Sequence, residues 1–132
     1  MADMFKLQVV TPDKEFYSGE ASMVELTTTE GQVGVYANHI PLTAIVAPGI
    51  LRIHEDSEVK KAALHAGFIE ILPEEIRILA EVIEWPEDID IKRAEEARVR
   101  AERRIKNHGT EIDTVRAELA LKRALTRLDT KR

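Results

Sequence analysis

The sequence predicts an α+β protein: an N-terminal antiparallel β-sandwich over residues 1–86, followed by a C-terminal antiparallel two-helix hairpin over residues 87–132. Three observations predict it. Up to Trp85, apolar and polar residues alternate in short runs separated by Gly, Pro and Asp, the signature of strands joined by tight turns. After Pro86 there is no further proline, Gly109 is the only glycine, and Ala, Glu, Arg, Lys and Leu dominate, all strong helix formers. The charge changes sign at the same place. Residues 1–87 carry 6 Lys/Arg against 15 Asp/Glu (−9), and residues 88–132 carry 13 against 9 (+4), within a total of −5. Such an asymmetry points to two modules with different surfaces.

The elements follow in order. Phe5, Leu7 and Val9 alternate with Lys6 and Gln8 as a first strand. "TPDKEFYSGE" carries turn chemistry in Pro12, Asp13 and Gly19. "SMVELTTTEG" is a second strand, Val24 and Leu26 alternating with Glu25, stopped by Gly31. "QVGVYANHIPL" reads as irregular, since Gly34 and Pro41 argue against a continuous central strand. "GILRIHEDSEVKKAALHAG" is a hairpin with a polar turn at His54–Glu58. "FIEILPEEIRILAEVIE" is another, turning at Pro73–Glu75. Pro86, Glu87 and Asp88 favour a helix start, because Asp can cap and acids suit the positive helix end. The first helix is expected from about Ile89 to about Asn107, stopped by Gly109 in a left-handed conformation. The second is expected from about Glu111 to about Leu128, with Thr110 as N-cap. Ala94, Ala97, Ala101 and Ile105 on one helix, and Ala117, Leu121, Ala124 and Leu128 on the other, repeat every three or four residues. These narrow stripes allow close approach but leave the hairpin marginal alone, so it must lean on the sandwich or on a partner.

Composition narrows the function. With 132 residues, 44% apolar and 33% charged, the chain can form one packed domain, or one with an appendage. It has no cysteine, which removes disulfide and thiolate-metal chemistry. "MADMFKLQVV" lacks a signal-peptide layout and no apolar run reaches the roughly 20 residues of a membrane span, so membrane association is expected only through a partner. There is no phosphate loop, dinucleotide fingerprint or nucleophile elbow. His39, His54, His65 and His108 show no metal spacing, and neighbouring acids such as Glu74–Glu75 and Glu95–Glu96 do not share a helix face. No catalytic set emerges. The mixed signs of the helices argue against a nucleic-acid stripe, and an acidic protein partner fits the +4 balance at least as well.

The stretch from Glu87 to Arg104 has two readings. Composition alone makes it a solvated helix with i,i+4 ion pairs, each contributing about 0.3–0.5 kcal/mol. Yet Arg93 and Arg100 project from one side, and Arg116, Arg123 and Arg127 repeat that spacing on the second helix. A hairpin that folds back could bring both rows to one anion, where guanidinium forks suit phosphate oxygens.

Several segments, in order and over the whole chain, resemble the epsilon-subunit family of bacterial F-type proton-translocating ATP synthases. These are Glu30, Gly31 and Gly34 (E-G-x-x-G), His39, Pro41 and Leu42 (H-x-P-L), "HAGFIEILPEEIRILAE", "IDIKRA" from Ile89 to Ala94, and "RAELALKRALTRL". The resemblance implies a non-catalytic rotor subunit, peripheral on the cytoplasmic face of the bacterial cell membrane. Its sandwich would bind the gamma subunit and rest on the ring of c subunits through the loop from Glu30 to His39. Gln32 departs from the family there, standing where an acid is frequent. The hairpin would permit rotation when folded down. Extended along gamma among the alpha and beta subunits, it would meet an acidic segment of beta and block ATP hydrolysis. No cofactor is required, but ATP is implied as a regulatory ligand, bound and not hydrolysed. The residues carried over are Glu84, Ile89, Asp90, Arg93, Ala94, Arg100, Arg123 and Arg127. A stand-alone ATP sensor or adaptor is the alternative.

Overall fold

The computed structural model describes residues 3–107 and 111–132. Among them eight strands precede two helices. Strand β1 (Phe5–Val10) buries Phe5, Leu7 and Val9 and turns Lys6 outward, as the alternation predicts. The turn after it is shorter than expected. Thr11 N–H donates to Lys14 O at 2.9 Å, and β2 (Glu15–Ala21) already pairs antiparallel with β1. Gly19 is therefore a strand residue. A Cβ there would lie 2.7 Å from the Tyr17 hydroxyl oxygen, so glycine makes room for the phenol rather than for a turn.

β3 (Met23–Thr28) buries Val24, Leu26 and Thr28. Gly31, at φ 117°, opens β4 (Gly31–Tyr36) rather than merely ending β3. β4 is a regular strand where an irregular segment was expected, but it lies at the edge of the sheet, where Gly34 is tolerated. The irregular part is the loop after it, with Asn38 at φ 64°. β5 (Leu42–Val46) and β6 (Gly49–His54) follow one another along the same side of β7 (Val59–Ile71). The first expected hairpin is thus β6–β7, closed by Glu55 N–H to Glu58 O at 2.8 Å. The second is β7–β8, with β8 at Glu75–Glu84, closed by Leu72 N–H to Glu75 O at 2.9 Å. One 13-residue strand serves both. It shifts register between Leu64 and Gly67, where φ is 142° and a Cβ would sit 2.0 Å from Leu79 O. Only glycine permits that bulge.

The strand order is β2-β1-β8-β7-β5-β3-β4, with β6 also bridging β3 and β7. The β5–β6 corner and the β7 bulge fold this sheet over a single core of aliphatic side chains, including Leu7, Val9, Val24, Leu26, Leu51, Ile53, Leu64 and Ile78. Each such side chain contributes about 1.5–3 kcal/mol when removed from water. One pair departs from the antiparallel rule: β1 runs parallel to β8, Leu7 opposite Ile76 and Val9 opposite Ile78.

Phe16 stacks on Trp85 at 4.3 Å, and a 3₁₀ turn at Pro86–Asp88 leads to α1 (Ile91–Lys106). The helix starts two residues later than expected because Asp90 caps it, its carboxylate accepting from Arg93 N–H at 3.1 Å. Ile89 is extended and buried. His108, Gly109 and Thr110, with the predicted helix stop and N-cap, lie outside the described residues. α2 (Glu111–Lys131) outruns Leu128 by three residues. Thr130 is buried, with its hydroxyl donating to Thr126 O, and Lys131 Nζ donates to Pro86 O at 2.8 Å. Ala94, Ala101, Ala117, Ala124 and Leu128 are buried, and α1 packs on α2, which packs on β6 and β7.

Candidate functional site

The end of β8, the linker and both helices enclose a cavity of about 300 Å³. That is the lower end of the size range of ligand pockets. Glu84 comes from β8 and Asp88 and Asp90 from the linker. Arg93, Ala94, Ala97 and Arg100 come from α1, and Arg127 from α2. The helix period explains the α1 contribution: positions 93, 97 and 100 fall on one side, with Ala94 beside them at 2% exposure, bringing the second helix close.

The three arginines differ in their surroundings. Arg127 Nε donates to Glu84 Oε1 at 2.6 Å, and the same oxygen accepts from His65 Nε2 at 3.1 Å. Arg98, on another face of α1, is tied to Glu95 and Glu102. Among the described residues the Arg93 and Arg100 guanidiniums have no ion-pair partner. The solvated-helix reading therefore describes Arg98, while Arg93 and Arg100 present free donors to the cavity. Guanidinium forks beside acceptor carboxylates can hold a ligand with an anionic end and a hydrogen-bonding end.

Of the eight residues assigned to a nucleotide, six line this cavity: Glu84, Asp90, Arg93, Ala94, Arg100 and Arg127. Ile89, in the linker itself, is buried and does not line this cavity. Arg123 faces away. It borders a broad groove of about 1160 Å³ between α2 and the sandwich, together with His65, and its Nε is buried without a partner. Four residues along a helix shift a side chain by about 40° around the axis, and here Arg127 lines the cavity beside α1 while Arg123 borders the groove against the sandwich. Arg116 is exposed and takes part in neither. Sequence reasoning missed Asp88 and Ala97 as lining, although Ala97 lies three residues after Ala94. It also missed His65, for which β-strand alternation offered no signal.

His65 is 1% exposed, and its Nδ1 has no hydrogen-bond partner. Burial, and next the Arg127 charge, hold its imidazole below the usual histidine range, against the opposing pull of Glu84. Burial, then the hydrogen bond to Glu55, raises the Tyr17 phenol.

Glu30, Gln32 and His39 are exposed. Glu30 is in the β3–β4 turn, Gln32 in β4, and His39 in the loop beyond, its Nδ1 donating to Ile40 O at 2.8 Å. Tyr36 and Ile40 beside His39 are 61% and 79% exposed. A separate apolar row, Ile45–Phe68–Leu79, runs in register across β5, β7 and β8 on the outer face. Among the described residues no acid or histidine group converges as metal ligands, and no helix is long and apolar enough to cross a membrane.

A β-sandwich bearing a helical hairpin, with a small charged cavity between them, defines the class. Residues 4–86 match the family described as ATP synthase, Delta/Epsilon chain, beta-sandwich domain, and residues 87–132 match the long alpha-helix domain of the same chains. A relative from Halalkalibacterium halodurans is 45% identical over 124 residues, 93% of each chain, and one from Clostridium novyi is 46% identical over 131 residues, 98% of each; both are named ATP synthase epsilon chain. The chain thus belongs to the ATP synthase delta/epsilon family, and within it to the epsilon chains. The fold resembles a chain of the Euglena gracilis mitochondrial ATP synthase, with TM-score 0.83, 21% identity, and 96% of this chain and 79% of that one covered. It also resembles a chain from the central stalk and c-ring of the Tetrahymena thermophila enzyme, with TM-score 0.74, 16% identity, and 99% and 98% covered.

Proposed function

We propose that this chain is a non-catalytic rotor subunit of an F-type ATP synthase, coupling proton flow to ATP synthesis and restraining ATP hydrolysis through its hairpin. The hairpin is movable: folded down it holds one ATP in the cavity, and extended it meets an acidic segment of the beta subunit. The observation that carries the nucleotide reading is the pair of guanidiniums, Arg93 and Arg100, that have no ion-pair partner among the described residues and share with Arg127 a cavity built from α1, α2 and β8. In this reading the arginines meet the phosphates, and Glu84, Asp88 and Asp90 accept hydrogen bonds from base or ribose. The exposed row Ile45–Phe68–Leu79 suits docking on gamma, since contiguous apolar surface marks an interface. The β3–β4 turn with Glu30, the edge strand with Gln32 and the loop carrying His39 are offered to the c-ring. Membrane association then comes only through the complex, on its cytoplasmic face.

A calorimetric titration of the chain with ATP tests the nucleotide half. Saturable binding is expected, weakened by about 10–100-fold in Arg93→Ala, since a hydrogen bond to a charged group contributes about 1.5–3 kcal/mol. Absence of binding at millimolar ATP would sink it. The inhibitory half is tested by the hydrolysis rate of the assembled complex with and without residues beyond Trp85: deletion should raise it, and an unchanged rate refutes inhibition. Because the cavity is complete within one chain, a stand-alone ATP sensor or adaptor is the second reading. Failure to co-purify with a gamma subunit would favour it.

A further inference from the structure

We propose that His65 makes the folded-down hairpin proton-sensitive, so that acidification releases α2 from the sandwich and favours the extended state. The proposal deepens the reading of a movable hairpin and rests on it. Glu84 Oε1 receives both Arg127 Nε and His65 Nε2, so one carboxylate oxygen joins β7, β8 and α2. That geometry sets the tautomer. Nε2 carries the hydrogen that points at Glu84, and Nδ1 is left as a bare, buried acceptor. A second proton could go only on Nδ1, where no acceptor awaits it. The neighbours make it worse. From α2, Arg127 and Arg123 both disfavour a positive imidazole, Lys122 borders the same groove, and Arg52 borders it from β6. Against them stand Glu84 from β8, whose oxygen is already shared, and Asp129, which is paired with Arg132.

With α2 removed, His65 loses its cover and both guanidiniums, and its imidazole can take a proton at the ordinary value of about 6.5. In the folded-down state that value is depressed. The neutral ring therefore stabilises the folded-down state in full above about pH 6.5. The contribution is lost as pH falls from there through the lower folded-down value, at up to about tenfold in the folded-to-extended ratio per pH unit. ATP and protons then oppose each other through two shared residues, since Glu84 and Arg127 belong both to the cavity and to the His65 contact.

The absence of cysteine makes the test direct. Spin labels on Asp13→Cys and Glu118→Cys, both exposed positions, report the sandwich-to-α2 distance in the full chain from pH 8 to 5.5, with and without ATP. The folded-down fraction should fall below about pH 6.5 without ATP. His65→Gln, which keeps a neutral donor toward Glu84, should remain folded down through the range. Opening with the same pH profile in His65→Gln overturns the proposal. Movement with ATP but none with pH overturns the proton response and leaves the movable, ATP-holding hairpin standing. Movement with pH alone upholds the proton response and removes the ATP half, and no movement under either condition refutes both. Independently of any variant's folding, the imidazole resonance of His65 in the unaltered chain at pH 8 and below should titrate below the ordinary range; an ordinary titration in the folded-down state also overturns it.

Discussion

At the residue scale, the most informative side chains are those whose ordinary partners are missing or shared. Arg98 has two glutamates and needs no ligand; Arg93 and Arg100, on the same helix, have none among the described residues. Asp90 shows how one residue can serve fold and site together. Its carboxylate caps α1 through Arg93 N–H while it lines the cavity. Asp90→Ala should lower the stability of the hairpin by about 1 kcal/mol through the lost cap, and Asp90→Ser should recover most of it. Amide exchange in the first turn of α1 checks this. If ATP binding stays weak in the serine variant, the carboxylate also contacts ligand. The neighbouring His65 illustrates what sequence could not disclose. A histidine in an apolar strand reads the same whether it is free or locked. Only the tertiary fold brings Glu84 within 3.1 Å and the charges of two arginines near enough to disfavour its protonation.

At the element scale, the helices and hairpins were largely readable. Apolar stripes in the two helices correspond to the buried Ala94, Ala101, Ala117, Ala124 and Leu128, because a helix exposes its period directly in the sequence. Boundaries moved by two or three residues where a local contact outweighed composition: Asp90 rather than Asp88 became the cap, and Lys131 reached back to Pro86. The same alanine faces let the helices approach closely, so volume added there should open the hairpin. Ala101→Leu, at a site 1% exposed, should cost about 1–3 kcal/mol of helix packing. Amide exchange across α1 and α2 should accelerate while that of β7 does not. Equal acceleration in both would mean that hairpin and sandwich unfold as one unit. The strands were less legible. β2 was hidden by turn-like residues and Gly19, whose reason is the Tyr17 phenol rather than a turn.

At the scale of the whole molecule, the core of the sandwich contains, among the described residues, none from either helix. The chain ended after Trp85, which keeps the Phe16–Trp85 stack, should therefore fold cooperatively. A single thermal transition with retained β circular dichroism checks it, and a molten ensemble would show that the hairpin is part of the fold rather than an appendage. The docked position of the hairpin depends on few polar links, Arg127 to Glu84 and Lys131 to Pro86 O, beside the packing of α2 on β6 and β7. The proposed movement needs that modest attachment, because an equilibrium between two positions shifts only when their free energies are close.

The amino-acid sequence by itself determined the two modules, the hairpin pairs β6–β7 and β7–β8 and the helical stripes. All of these depend on contacts between near neighbours in the chain, where the period of two or 3.6 decides which side chains meet. The tertiary structure decided the parallel pairing of β1 with β8, the sharing of β7 between two hairpins, the separation of Arg123 from Arg127 and the meeting of His65 with Glu84. Those depend on strands far apart in sequence and on the face of the sandwich against which α2 comes to rest. No tight turn dictates direction or register between such distant partners. They are set by the shared burial of one core and by the charges left at its rim.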